Sequence, residues 1–299
     1  MYKEILDFLK MNDVEYKENV MLAAMSPIRI GNEARFIAYP NNIDILTKLV
    51  RFLEKIKIRY KILGRMSNVL PPDEKYDGII VKTDRISKIS VKGRTVVAFC
   101  GASMPVLGQK LCSVGLSGFE PLSGIPGSIG GAILGNAGAF GREVSDLVSS
   151  VSAYHIDSGT SVVINASECE FGYRNSFFKN GEYLILAVKL DLSFCDEASI
   201  KSAMNGFKDK RRITQPIGKP SLGSTFKRPS TDVSAAKLID DCGLKGFRIG
   251  DAVISAKHAG FIVNDGCAKA SDYLSLADFA AERVKEKYNV FLEREIEVL

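Results

Sequence analysis

Serine, arginine, lysine and glutamate are the side chains with which this chain could do chemistry, because it contains only two histidines. His155 lies in a segment of alternating character and His258 lies in SAKHAGFIVN, and we expect both to be structural. A Ser-His-Asp hydrolase is poorly supported, since the motif GxSxG is also missing. An enzyme built from these side chains would work around a bound cofactor.

Two segments place such side chains among aromatic or turn residues. The first is FGYRNSFFK, where aromatic residues flank Arg174. Partial desolvation would strengthen the hydrogen bonds of this guanidinium, although a stacked structural arginine is an equally good interpretation. The second is QPIGKPSLGSTFKRP, where Ser224 follows Gly223 and Lys227 lies three residues further on. A serine in this setting more commonly caps a turn.

A third segment, NVFLEREIEVL, ends the sequence with several glutamates. In a strand, a period of two places Glu293, Glu295 and Glu297 on one face. Three glutamates on one face are typical of a solvated sheet surface. The spacing therefore does not distinguish one of them as a functional residue.

Glycine recurs throughout the segment 115–141, and residues 121–141 contain no charged side chain. Glycine lets a backbone approach a ligand closely, and successive N–H groups in such turns form concave sites for phosphate. We therefore predict an ordered loop that holds a pyrophosphate-bearing cofactor. Its aliphatic residues argue against a flexible linker, and Pro126 and Asn136 interrupt any membrane helix. Neither GxGxxG nor a P-loop motif is present.

The elements that position these residues mix helices and strands. Residues 34–39, 42–56 and 60–63 predict a βαβ unit whose two strands are parallel neighbours. The turn GRMSN, residues 64–68, follows the second strand, where ligands gather in such units. A plain surface turn is an equally good interpretation of this pentapeptide. Within residues 1–20 we predict a short helix followed by a polar tail.

The remaining sequence predicts two hairpins and several helices, and the class is α+β or α/β. The hairpins join 86–91 to 95–100 and 148–156 to 160–164. Ser103 and Ser271 are the expected caps of two helices, and Gly243 follows a third. Further predicted elements are strands at 78–82, 182–192 and 290–298, and a charged helix near 197–212.

Composition excludes several classes of protein. The chain has 299 residues, 46% of them hydrophobic, which suits a protein of two or three domains. Its net charge of +5 is spread out, so we expect no nucleic-acid partner. Six cysteines without a CxxC pair predict no metal site. The sequence shows no signal peptide or membrane span, so we expect a cytoplasmic protein.

Five motifs resemble, in order, those of the UDP-N-acetylmuramate dehydrogenase (UDP-N-acetylenolpyruvoylglucosamine reductase) family, a family of bacterial peptidoglycan-precursor enzymes. They are GFEPLSGIPGSIGGAILGNAGAFG, FGYRNSFFK, PSLGSTFKRP, KHAGFIVN and LEREI. The likeness runs from about Met25 to the C-terminus. The short stretch after Phe178 is similar to the shorter, type II-like branch, which lacks an extra substrate-covering loop.

The resemblance implies an α+β fold with an FAD-binding domain of the PCMH/vanillyl-alcohol-oxidase type. This domain would cover residues 25–193, in subdomains of about 25–85 and 86–193. A smaller substrate-binding C-terminal domain would cover 194–299, and residues 1–24 would form an N-terminal helical extension. We expect a monomer.

The implied activity is the FAD-dependent, NADPH-driven reduction of UDP-N-acetylenolpyruvoylglucosamine to UDP-N-acetylmuramate. By the resemblance, Arg174 and Glu295 would polarise the enolpyruvyl carboxyl group, and Ser224 would be the proton donor. The implied substrate-binding residues are Tyr173, Lys227 and Asn264. The implied FAD-binding residues are Gly64, Arg65, Met66, Ser67, Asn68, Gly124, Ile125, Pro126, Gly127, Ser128, Gly130, Gly131, Asn136 and Ala137.

Two other functions remain open from the sequence. One is an FAD-dependent oxidoreductase of the same fold that acts on another sugar or an alcohol, which would need no clamp for a carboxylate. The other is a non-enzymatic nucleotide-binding module, which the glycine-rich loop alone would permit.

Overall fold

A computed structural model describes residues 2–299, which divide into two compact units. The first unit comprises residues 2–18, 36–65 and 78–209, and the second comprises 19–35, 66–77 and 210–299. The seven α-helices among the described residues are α1 Tyr2–Met11, α2 Ile43–Lys55, α3 Met104–Ser113, α4 Ile129–Leu134, α5 Glu197–Thr214, α6 Ala235–Asp241 and α7 Ala270–Tyr288.

The longest strand, Tyr183–Asp191, has nine residues, and the four strands after residue 194 have only two or three residues each. In order the strands are β1 Glu15–Met21, β2 Glu33–Tyr39, β3 Tyr60–Leu63, β4 Val69–Leu70, β5 Tyr76–Lys82, β6 Ile89–Lys92, β7 Thr95–Phe99, β8 Leu116–Ser117, β9 Gly138–Ala139, β10 Arg142–Glu143, β11 Val148–His155, β12 Thr160–Asn165, β13 Tyr183–Asp191, β14 Ser193–Phe194, β15 Arg248–Ile249, β16 Ala252–Ile254, β17 Ile262–Asn264 and β18 Glu297–Val298.

Four strands form a sheet in the order β1-β2-β5-β3. The prediction that β2 and β3 are neighbours is therefore wrong, because β5 lies between them and pairs with β3 in parallel. All but one of the β5 residues are buried, which suits a central strand, whereas β3 has one buried residue and lies at the edge. Helix α2 begins after Asn42, the first residue of the predicted range 42–56, and the side chain of Asn42 caps it by accepting a hydrogen bond from the N–H of Ile45 at 2.9 Å.

Five antiparallel strands form a second sheet in the order β12-β11-β13-β7-β6. This sheet contains both predicted hairpins, which are confirmed, although β6 begins three residues later than expected. Val151, Val188 and Leu190 are fully buried in the core of the first unit, together with residues of α3 and α4. The glycine-rich segment 115–141 follows α3 and contains the short elements β8, α4 and β9.

The second unit has its own core around α7. Tyr273, Leu276 and Ala277 are fully buried and belong to one cluster with residues of α6 and of the β15-β16-β17 sheet. The two-residue strands β4 and β18 pair in parallel. Helix α6 ends as predicted, with Gly243 in the left-handed region at φ 72°.

Three local predictions are wrong. The predicted polar tail of the N-terminal segment forms strand β1 after helix α1, and residue 1 of that segment lies outside the described residues. The expected terminal strand is reduced to β18 and an isolated bridge at Arg294. Helix α7 begins at Ala270, so Ser271 is not its cap; Asp73 accepts hydrogen bonds from the N–H groups of Ala270 and Ser271 instead. In all three cases, contacts with segments distant in sequence determine the observed structure.

No helix among residues 2–299 is both long and apolar enough to cross a membrane.

Candidate functional site

The turn that begins at Gly64 lies directly against the glycine-rich loop. A Cβ atom added at Gly64 would collide with Oγ of Ser128, a buried side chain. Ser128 is also the N-cap of α4, where its hydroxyl accepts a long hydrogen bond from the N–H of Gly131. The structure therefore brings together, within the first unit, two segments whose residues the family resemblance implies for FAD binding.

Some glycines of this loop are required by packing and others are not. A Cβ at Gly130 would lie only 3.0 Å from Cys100, so backbone packing demands glycine there. A Cβ at Gly131 or Gly135 would meet only atoms of the same short segment, at 3.5 and 3.8 Å. These two positions leave the backbone open to a bound ligand, and so the loop fits a cofactor such as FAD.

The other predicted cofactor residues of the loop lie at or near the surface. Gly124 and Pro126 are exposed, and Ile125, Gly127 and Ala137 are half-buried. The turn after β3 is divided at the unit boundary, with Arg65 in the first unit and Met66 to Asn68 in the second. Arg65 is exposed, Met66 is buried at φ 57°, and Ser67 is half-buried.

Asn136 connects the glycine-rich loop to the turn that carries Arg174. Only 1% of Asn136 is exposed, and its Nδ2 donates to the carboxylate of Glu143 at 2.8 Å and to the carbonyl of Gly172 at 3.0 Å. Its Oδ1 accepts from the N–H of Ser145. All three bonds are to other residues of the protein, so the side chain of Asn136 supports the structure of the site.

Arg174 occupies a sharp turn next to the same loop. Its backbone lies in the left-handed region at φ 52°, a conformation that non-glycine residues rarely adopt and that recurs at functional sites. One guanidinium nitrogen donates to the carbonyl of Gly138 at 3.3 Å, and the guanidinium carbon lies 5.1 Å from the centre of the Tyr173 ring. Tyr173 remains 47% exposed, which leaves it accessible to a ligand.

The segments that carry Ser224 and Glu295 are joined by backbone hydrogen bonds in the second unit. The N–H of Glu295 donates to the carbonyl of Thr225 at 2.8 Å, and the N–H of Lys227 donates to the carbonyl of Glu293 at 2.8 Å. The two segments are therefore antiparallel, although about 70 residues of sequence separate them. The residue after the predicted proton donor is thus bonded to the predicted carboxyl-binding glutamate.

The structure also distinguishes Glu295 from the glutamate two positions earlier. The side chain of Glu293 is 73% exposed and forms an ion pair with Lys227 at 2.5 Å. Glu295 is half-buried, and its carbonyl accepts a hydrogen bond from Nδ2 of Asn68 at 2.9 Å. Strand β4 follows Asn68 and strand β18 follows Glu295, and the parallel pairing of these two strands extends the contact between the two segments. Asn68, predicted to bind the cofactor, therefore holds the segment of Glu295.

Sequence reasoning missed the residues that hold Thr225, the neighbour of Ser224, in place. The side chain of Thr225 is buried, and its Oγ1 lies 3.0 Å from Oη of the fully buried Tyr273. The same Oγ1 accepts from the N–H of Ile262 at 3.3 Å, while the N–H of Thr225 donates to the carbonyl of Gly260. Burial raises the pKa of Tyr273, so its hydroxyl is neutral. The only sequence signal for Tyr273 was that it lies within the helix predicted to follow Ser271.

Asn264 and His258 both make bonds within the protein. Asn264 donates to the carbonyls of Ile28 and Arg29 and accepts from two N–H groups of the following turn. Nδ1 of His258 accepts from the N–H of Gly260 at 3.2 Å, and its ring packs edge-on against Phe261. Burial lowers the pKa of His258, which favours a neutral imidazole with a structural role.

The predicted catalytic residues belong to different units, with Arg174 in the first and Ser224 and Glu295 in the second. Among residues 2–299, no group of three His, Cys, Asp or Glu side chains could hold a metal ion.

Comparison with known proteins defines the class. Residues 34–165 match a family model described as an FAD binding domain. Together with the glycine-rich loop and the turn at Gly64, this match defines an FAD-binding oxidoreductase fold of α+β class. Residues 215–299 match the C-terminal domain of UDP-N-acetylenolpyruvoylglucosamine reductase.

Whole-chain relatives identify the family. The chain is 37% identical to the UDP-N-acetylenolpyruvoylglucosamine reductase of Caldicellulosiruptor bescii, over 98% of this chain and 93% of that protein. It is 39% identical to the enzyme of the same name from Thermotoga maritima, over 93% and 96%. A crystal structure of the Thermus caldophilus enzyme superposes with a TM-score of 0.80 at 33% identity, covering 95% of this chain and 98% of that chain. The chain belongs to the UDP-N-acetylenolpyruvoylglucosamine reductase family.

Proposed function

We propose that this chain catalyses the NADPH-driven, FAD-dependent reduction of UDP-N-acetylenolpyruvoylglucosamine to UDP-N-acetylmuramate. The observation that carries the proposal is the hydrogen bond between the N–H of Glu295 and the carbonyl of Thr225. It pairs the segment of Glu295 with the segment of Ser224, the two residues that would bind the carboxyl group and supply the proton for a carboxylate-bearing vinyl ether. The proposal places the protein in peptidoglycan precursor synthesis, and so in the maintenance of cell shape and in cell division.

The first unit supplies the residues that would hold the cofactor. The turn at Gly64 and the loop around Ser128 approach each other closely, and Gly131 leaves the backbone open. Bound FAD would supply the hydride chemistry, taking hydride from NADPH and passing it to the enolpyruvyl group. The chain's own residues then have to orient the two substrates and manage one proton.

Arg174 and Glu295 would act on the carboxyl group of the enolpyruvyl substrate. Addition of hydride to the vinyl carbon distal to the ether oxygen places negative charge on the carboxylate side of the molecule. A planar guanidinium already held at Gly138 is preorganised to stabilise that charge. Glu295, half-buried and fixed through Thr225, would bind the same carboxyl group by sharing a proton.

Ser224 would give a proton to the carbon that bears the carboxyl group. Its segment cannot shift independently, because Thr225 is bonded to Gly260, Ile262, Tyr273 and Glu295. Such restraint keeps a weak acid within reach of the reacting carbon. Tyr173 and Lys227 would contact the sugar nucleotide, while Asn264 would act through the backbone of Arg29 that it holds.

The test is an anaerobic experiment with two half-reactions. The purified protein should be yellow and should release FAD rather than FMN on denaturation. NADPH should bleach the flavin absorbance, and UDP-N-acetylenolpyruvoylglucosamine should restore it, whereas simple sugars and alcohols should not. If a simple sugar or alcohol exchanges electrons with the flavin and the enolpyruvyl nucleotide does not, the proposal is wrong.

A further inference from the structure

Lys82 is a buried charged residue that the proposed reaction does not use. It ends the central strand β5, and only 2% of it is exposed. Removing an ammonium group from water is costly unless partners replace the lost hydration. A lysine in this position therefore requires an explanation in terms of what surrounds it.

The ammonium group of Lys82 faces the predicted pyrophosphate turn. Nζ donates to the carbonyl of Gly64 and forms an ion pair with Asp84 at 3.1 Å. The parallel register places Lys82 opposite Leu63, the last residue before Gly64. The lysine thus anchors the first peptide of that turn, whose glycine packs against Ser128 of the glycine-rich loop.

The charges around Lys82 do not balance internally. Burial lowers the pKa of Lys82, the carboxylate of Asp84 opposes that effect, and the nearby charge of Arg65 adds to it. Among the described residues, the second carboxylate oxygen of Asp84 is buried without a hydrogen-bond partner. Lys82 and Arg65 each carry a positive charge, and Asp84 carries one negative charge. The resulting local excess of positive charge suits an anionic ligand.

The peptide geometry indicates where that anion would lie. The C=O and N–H of one trans peptide unit point in opposite directions. Because the carbonyl of Gly64 points toward Lys82, the N–H of Arg65 points away from β5. Lys82 therefore holds this N–H in a fixed direction, available to a phosphate oxygen.

We propose that Lys82 is a positioning residue for the pyrophosphate of FAD: it fixes the Gly64–Arg65 peptide and offsets part of the ligand's charge. The inference rests on the proposed function, since it requires FAD to bind at this turn.

The test compares FAD affinity and apoprotein stability in Lys82→Met, a substitution that keeps the length of the side chain. Full-length apoprotein is titrated with FAD and, separately, with riboflavin, which has no phosphate, while flavin fluorescence is recorded. We expect FAD to bind at least about tenfold more weakly to Lys82→Met, as loss of a charge-assisted bond predicts. The affinity for riboflavin should be unchanged. The Tm of the apoprotein should fall, because the carboxylate of Asp84 and the carbonyl of Gly64 both lose their partner, so the comparison of FAD with riboflavin separates a role in FAD binding from a role in the fold.

The matched control is Lys61→Met, which removes an exposed lysine from the adjacent strand β3 and should behave as wild type. Equal FAD affinity in Lys82→Met and wild type would overturn the proposal. So would a lower apoprotein Tm with unchanged FAD affinity, which would assign Lys82 to the fold alone. If Lys82→Met does not fold, Lys82→Gln provides the test, because it removes the charge and keeps a polar side chain, and normal FAD binding by that variant overturns the proposal. Failure of the wild-type protein to bind FAD would instead refute the proposed function.

Discussion

The backbone N–H of Glu295 donates to the carbonyl of Thr225 at 2.8 Å, so the segment that ends the chain lies beside the residue that follows Ser224. This one bond joins the two segments that carry Ser224 and Glu295, the residues on which the proposed proton chemistry depends. Each has an ordinary structural explanation when considered alone. Their pairing makes the roles of both residues testable by substitution.

Ser224→Ala should separate the two half-reactions. Reduction of the flavin by NADPH needs no proton from this serine and should stay within a few-fold of wild type. Reoxidation by the enolpyruvyl substrate should slow by about 10² to 10⁴, the usual effect of losing a positioned general acid. Stopped-flow flavin absorbance measures both steps, and Ser224→Cys should recover part of the second rate. Equal slowing of both steps would indicate damaged flavin binding.

Glu295→Gln should slow the reoxidation step by about 10²-fold, because an amide cannot share a proton with the substrate carboxyl group in the same way. Glu293→Gln is the matched control in the same segment. It removes an exposed ion pair with Lys227, so the reoxidation rate should change by no more than about fivefold. If single-turnover measurements give the two variants the same rate, Glu295 has no special role.

Arg174→Lys should be severely impaired although it keeps the charge. A single ammonium group cannot both reach the carbonyl of Gly138 and grip a carboxylate in the bidentate manner of a guanidinium. We expect kcat to fall by about 10²-fold or more. Arg142→Lys, in the adjacent β9-β10 hairpin, alters an arginine whose side chain is 40% exposed and should retain activity. Steady-state assays that find near-normal turnover in Arg174→Lys would return Arg174 to a structural role.

Gly64→Ala should weaken FAD binding, since the new Cβ would collide with Oγ of Ser128 and push the turn away from the loop. Crowding of this kind costs about 1–3 kcal/mol, so the Tm should fall as well. Gly206→Ala serves as the control, because its Cβ would meet nothing within 4 Å in α5 and alanine favours a helix. Fluorescence titration and thermal melts read out both effects, and unchanged FAD affinity in Gly64→Ala would contradict the packing argument.

Asp73→Asn should destabilise the second unit in a pH-dependent way. Burial raises the pKa of Asp73, but hydrogen bonds from the N–H groups of Ser271 and Ala270 outweigh it and lower the pKa overall. The carboxylate therefore stabilises the fold above the unfolded-state pKa, near 3.9, and this contribution is lost as the pH falls below that value.

At pH 7 the loss in Asp73→Asn should be about 1–2 kcal/mol, as for other helix caps. Urea unfolding at pH 7 and at pH 3 should therefore differ less for the variant than for wild type. The neighbouring Glu74 is exposed, so Glu74→Gln should leave both curves unchanged. A variant curve that keeps the full wild-type pH dependence would exclude Asp73 as its source.

Local pattern was sufficient to predict several elements. Alternation and a turn at 157–159 predicted the β11-β12 hairpin, and Asn42 marked the start of α2. Glycine spacing and the absence of charge predicted that residues 115–141 form an ordered loop. These features depend on neighbours within a few residues, which is the range over which propensity and periodicity act. The family resemblance rested on the same segments and is confirmed by the whole-chain relatives.

Only the tertiary structure decided how distant segments pair. The sequence by itself determined which stretches bear a glycine-rich loop, an arginine among aromatic residues and a serine three residues before a lysine. It did not determine that β5 inserts between β2 and β3, or that Asp73 caps α7. It also could not separate Glu295 from Glu293, whose difference in exposure comes from partners some 70 to 230 residues away. The physical reason is that periodicity reports which face of an element is buried, whereas the partner on that face depends on sheet order and packing.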